Sequence, residues 1–178
     1  MLAWLKTMTD RRQTARSLYG SIVAQAREPI FYAAWGVPDT VQGRFEMIAL
    51  HLVLVLRRLG AESRAGGRLG RALTEAFMVD LDDAMREMTF GDLAVPREVK
   101  RAATALFHRH RAYLAALGAA DDMTLAQAIG AQLAYLDPGG DLDVRAIAVY
   151  VRRCASALDV EPAALILAGQ VAWPPPTA

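Results

Sequence analysis

Three histidines, a single cysteine and a short run of carboxylates are the side chains with which this 178-residue sequence could do chemistry. A di-iron or di-manganese centre in a helical bundle needs carboxylates from several helices and Glu-x-x-His pairs, which bring an acid and an imidazole to one ion. His51 follows Glu46 by five residues, and neither His108 nor His110 has an acid three residues before it, so these pairs are missing. His108 and His110, two apart, point to different faces of a helix and do not share a metal. Asp80, Asp82, Asp83 and Glu87 read as a solvated helix face, because no loop folds them around a hard cation. Cys154 lies among apolar neighbours and reads as a buried small hydrophobe rather than a reactive thiol; as the only cysteine it excludes an internal disulfide and suits a reducing compartment. No Gly-x-Gly-x-x-Gly, Walker loop, Gly-x-Ser-x-Gly or His-Glu-x-x-His is present. The expectation is a protein that is no enzyme and holds no metal or cofactor.

Binding is the chemistry that remains. Phe31, Tyr32 and Trp35 fall within one loop, 29–38, which closes on Gly36-Val37-Pro38-Asp39-Thr40. Such aromatics most often anchor a core, yet an aromatic loop beside an apolar helix also builds partner-binding pockets. His51 interrupts that helix, and a buried imidazole needs partners for both nitrogens or loses roughly 1–3 kcal/mol per unmatched group. It reads as a satisfied core histidine, with a ligand or haem contact as the rival. Arg57, Arg58, Arg64, Arg68 and Arg71 gather nearby as a solvated face or a surface for an acidic partner or anionic membrane.

The element that must position these residues is a helix from about Val41 to Leu59, capped by Asp39 or Thr40, with Gly43 tolerated in its first turn. From Met47 to Leu56 ten residues carry no formal charge, too few for the ~20 that cross a bilayer. A helix apolar on all sides is buried, so this one is central. Before it, Asp10 caps a helix through about Arg27, which Pro29 ends. After it, 60–70 reads as a linker, since each of its four glycines disfavours a helix by roughly 1 kcal/mol. Further helices are expected at Leu69–Met88, at Arg97–Leu117 after a break over 89–95, and from Asp121 or Asp122 to about Leu136. Asp141 caps one through Leu158, and Glu161-Pro162 opens a last one ended by Gly169. No window alternates with period two, so the fold is all-α: one globular domain, 1–178, of six or seven helices, with 174–178 a proline-rich tail.

Hydrophobic residues make up 54% of the chain and mean hydropathy is +0.19, so either the core is large or apolar surface awaits a partner. A formal charge of +1 lacks the basic footprint of a sequence-specific nucleic-acid binder. Around Met1–Lys6 neither the charge order nor a cleavage motif fits a secretory signal.

Tyr19-Gly20, Ala24-Gln25-Ala26-Arg27, Phe31-Tyr32-x-x-Trp35-Gly36-Val37-Pro38-Asp39-Thr40, Gly43-Arg44-Phe45-Glu46 and Leu50-His51 together resemble the ubiquinol–cytochrome c chaperone family, the assembly factors of the cytochrome bc1 complex. The resemblance continues through Met85-Arg86-Glu87-Met88, Gly91-Asp92-Leu93 and Val99-Lys100-Arg101 to Gly169-Gln170-Val171-x-Trp173, covering about 17–173; Thr89-Phe90 departs from the Gly-Val pair expected there. It implies a non-enzymatic chaperone for newly made cytochrome b, helped in mitochondria by a small partner protein and by docking at the ribosome. A compact chain without a mitochondrial presequence looks like a bacterial member, cytoplasmic and peripheral at the inner membrane. The expected client site is a groove between 29–40 and the central helix, formed by Phe31, Tyr32, Trp35, Arg44, Phe45, Glu46 and His51. The alternatives from other classes are a carrier of a quinone or haem with His51 in its pocket, and a redox enzyme with a di-metal centre.

Overall fold

The computed structural model describes residues 2–87 and 95–177, with side chains over 9–86 and 95–177. Every regular element among the described residues is helical, as expected: α1 (Leu2–Ala26), α2 (Pro29–Ala33), α3 (Val41–Gly60), α4 (Arg64–Glu87), α5 (Val95–Leu117), α6 (Asp122–Leu133), α7 (Val144–Val160) and α8 (Ala163–Leu167). A 3-10 turn, Ala134–Leu136, extends α6. Met88, Thr89-Phe90 and Gly91-Asp92-Leu93, with nearly all of the break expected over 89–95, lie outside the described residues. So do the side chains of Met1–Lys6 and Glu87.

The central helix is where the apolar pattern puts it. The Thr40 hydroxyl accepts a hydrogen bond from the Gly43 N–H at 3.1 Å, so Thr40 and not Asp39 is the cap. Met47, Ala49, Leu50, Leu52, Val53, Leu54, Val55 and Leu59 are all buried, facing α1, α4, α5 and α7 in turn. At roughly 1.5–3 kcal/mol per large apolar side chain, this helix is the main source of hydrophobic stabilisation. Gly43 is not merely tolerated: a Cβ there would lie 2.0 Å from the Pro38 carbonyl oxygen. The glycine lets the turn before α3 fold back against its first residues.

Three sequence expectations are corrected. Asp10 lies inside α1, where its carbonyl accepts from the Thr14 hydroxyl, and the helix reaches back to Leu2. The cap of α7 is Asp143, which accepts from the Ala146 N–H at 2.9 Å; Asp137 takes the N–H groups of Asp141 and Leu142 and so holds the preceding turn two residues longer. The stretch read as a linker is mostly the first turns of α4. A Cβ at Gly66 would meet the Leu59 carbonyl oxygen at 2.4 Å, and one at Gly70 would touch Leu56. Helix propensity is lost there, and close packing of α4 on the end of α3 replaces it. In addition, the aromatic loop contains the short helix α2, which opens on Pro29.

Neighbouring glycines in α4 should therefore respond oppositely to the same change. Gly67→Ala, where an added Cβ meets nothing within 4 Å, should raise stability by about 1 kcal/mol, whereas Gly66→Ala should lower it, as read by urea unfolding.

Candidate functional site

His51 sits at the middle of α3 and is completely buried. Its Nδ1–H donates to the Met47 carbonyl at 2.7 Å, which leaves Nε2 as an acceptor for the Tyr150 hydroxyl at 2.8 Å. The Tyr150 oxygen in turn accepts from Gln25 Nε2 at 2.8 Å. One neutral tautomer satisfies the whole chain of bonds, and burial lowers the His51 pKa to about 4. Phe31, Trp35, Tyr150 and Trp173 surround this chain, with ring centroids 5.2–5.7 Å apart. Trp173 Nε1 donates to the Ser21 hydroxyl. With both nitrogens engaged, His51 has no free lone pair to offer a haem iron.

A second polar cluster lies one and a half turns earlier on α3. Glu46, also buried, receives both the Nε and an Nη of Arg109 from α5, the former at 2.6 Å, and the Tyr135 hydroxyl at 2.6 Å. The guanidinium lies 5.7 Å from the centroid of the half-buried Phe45 ring, which packs in turn on Phe77. Expected on a groove rim, Glu46 is an interior anchor between α3 and α5.

Phe31, Trp35 and His51 are thus brought together, while Glu46 and Phe45 belong to a separate cluster. The Tyr32 hydroxyl donates to the Ala26 carbonyl and its ring is half-buried. Arg44 alone of the seven points to solvent, paired with Asp39 at 2.6 Å, and this guanidinium holds the Asp39 carboxyl below its usual range. Cys154 is buried near Tyr150, and burial pushes its thiol up to about 12. Among the described residues no group of three or more His, Cys, Asp or Glu gathers as a metal site. The acidic sector is partly spent on neighbours, with Tyr19 donating to Asp80 and Arg86 to Asp82.

Sequence reasoning allowed for spare apolar surface but did not place it here. A groove of about 420 Å3 runs between the end of α3, the glycine-rich start of α4 and α5. Leu56, Gly67, Gly70, Met78, Leu106 and Phe107 line it, and Phe107 is 59% exposed. The signal was present in the glycines of 60–70 and in a phenylalanine beside His108, but it was readable only once α4 was known to be a helix.

A family profile described as Ubiquinol-cytochrome C chaperone matches residues 33–173. The chain belongs to this family. Members are chaperones, and assembly factors, of the ubiquinol–cytochrome c reductase complex. One relative, the ubiquinol-cytochrome-c reductase complex assembly factor 1 of Xenopus laevis, is 25% identical over 167 residues, covering 90% of this chain and 80% of the relative. The crystal structure of the Cbp3 homolog from Brucella abortus superposes with a TM-score of 0.84 at 31% identity, covering 99% of this chain and 98% of that one. The likeness to a bacterial protein over nearly the whole length fits a bacterial member of the chaperone family.

Two outcomes follow for the polar clusters. Because folded His51 resists protonation down to about pH 4 while an unfolded histidine takes it up near 6.5, stability should fall with pH across that window. The loss should reach roughly 2 kcal/mol between pH 7 and pH 5, and that slope should flatten in His51→Gln, as measured by urea midpoints. Arg109→Leu should cost roughly 3–5 kcal/mol by leaving Glu46 buried and unpaired, and adding Glu46→Leu should recover much of it in thermal unfolding.

Proposed function

We propose that this chain assists assembly of the bc1 complex by holding newly made cytochrome b through an apolar surface, making and breaking no covalent bond. Membership of the chaperone family over 33–173 supports the reading. The observation that carries it is the open groove between α3, α4 and α5, with Phe107 exposed at its rim. Glycine on a groove floor lets another helix bring its backbone close, and this is how apolar segments of membrane proteins pack on one another. The residues first expected to touch the client keep a different part in this reading. Phe31, Trp35, Glu46 and His51 are buried and hold α3 in register, while Arg44, Tyr32 and Phe45 form the nearest surface. We assign the client to the groove. The chaperone would act in the cytoplasm at the inner face of the membrane that receives its client; no helix among the described residues is long and apolar enough to cross one.

Co-purification of cytochrome b from cells, read by mass spectrometry, tests the assignment. Phe107→Arg should abolish most of the capture at unchanged helical circular dichroism, whereas Trp35→Ala should lose roughly 3–5 kcal/mol of stability. Full capture by Phe107→Arg would remove the groove from consideration. Loss of capture in Tyr32→Ala with intact folding would move the client to the 29–45 face.

A further inference from the structure

The packing of α1 on α4 leaves a surface cleft floored by small residues, among them Gly20, Ala72 and Ala76. Its two ends are opposite in charge. At one, a hollow of about 230 Å3 is lined by Arg11, Arg12, Arg68 and Arg71 together with Ala72 and Glu75. The adjoining hollow, about 510 Å3, shares Arg12 and Glu75 and runs on to Asp80 and Asp83.

Many arginines of the chain are already held by its own carboxylates. Arg44, Arg57, Arg58, Arg101, Arg109 and Arg152 each meet a carboxylate of the chain itself. Arg58 in addition donates to the Leu158 and Glu161 carbonyls and so closes the end of α7. Arg11, Arg12, Arg16, Arg68 and Arg71 form no ion pair among the described residues, and neither do Arg27, Arg111, Arg145 and Arg153; what sets the cleft apart is that four of its arginines line one hollow. Arg12 and Arg16 stand four residues apart on α1, a spacing at which like charges oppose helix formation. An anion seated among them removes that repulsion. Guanidinium forks match the oxygens of a phosphate, which can be held by several at once.

We infer that the basic end of the α1–α4 cleft binds the phosphate headgroups of an anionic phospholipid bilayer, and so presents the chaperone to the membrane. The inference rests on the proposed client, a membrane protein that must be handed to a bilayer. One further feature sets how the chain would meet a membrane. Asp80 and Asp83 repel an anionic surface, which fixes one end of the cleft as the contact. With a formal charge of only +1, attraction to the bilayer must come from this local patch and not from the molecule as a whole.

Co-sedimentation of the purified chain with vesicles tests this without any cytochrome b, so its outcome is independent of the client assignment. Binding should appear with phosphatidylcholine vesicles containing phosphatidylglycerol and be absent with phosphatidylcholine alone. It should weaken in high salt, since a Debye length of about 8 Å at physiological ionic strength shortens further. The double variant Arg68→Glu, Arg71→Glu should bind at least about tenfold more weakly, while Arg145→Glu, an exposed arginine on α7, should bind like the original chain. Absence of binding to the phosphatidylglycerol vesicles would overturn the inference, as would equal losses in both variants. Vesicle binding abolished by millimolar inorganic phosphate at constant ionic strength would assign the hollow to a free anion instead.

Discussion

A helix with no polar face can exist in water only if other helices enclose it, and the few polar groups it does carry must then be satisfied from those neighbours. α3 meets that constraint with three side chains. Glu46 reaches Arg109 on α5 and the Tyr135 hydroxyl after α6, His51 reaches Tyr150 on α7, and Arg58 takes the carbonyls at the end of α7. Each bond can form in only one register of the partner helix. Apolar burial supplies the driving force, and these polar contacts select which packing it produces.

The aromatic residues around His51 belong to the same device. Phe31 and Trp35 come from the short segment between α1 and α3, Tyr150 from α7 and Trp173 from the chain beyond α8. A locked aromatic interior and an open apolar groove both border α3. Here the two are separated. The aromatic cluster is packed around the middle of α3, and the open glycine-lined groove lies at its C-terminal end.

Much of this was legible in the sequence. The all-helical class, the central helix and its boundaries followed from the density of apolar residues between Glu46 and Arg57, and residue type narrowed the caps to Asp39 or Thr40 and to Asp121 or Asp122, of which the structure takes Thr40 and Asp121. The failures have specific causes. Helix propensity argued against the glycines at 66 and 70, and tertiary packing overrode it, because a close approach to Leu59 and Leu56 needs the space a side chain would fill. Glu46 looked like a rim residue, since nothing in its local sequence announces an arginine 63 positions away. The aromatics of 29–38 offered both a core and a pocket reading, and only their neighbours could decide. Arg57 and Arg58 resembled Arg68 and Arg71 in sequence, yet the first pair is spent on α7 and the second is not.

The bond between Trp173 and Ser21 joins residues 152 positions apart. During synthesis, α1 and α3 leave the ribosome long before the segment that covers His51 has been made. Until then the imidazole lacks Tyr150 above it and Trp173 at its side, and the nascent chain carries an open, partly polar seam in its middle. A member of a chaperone family is thus itself completed late in its own translation.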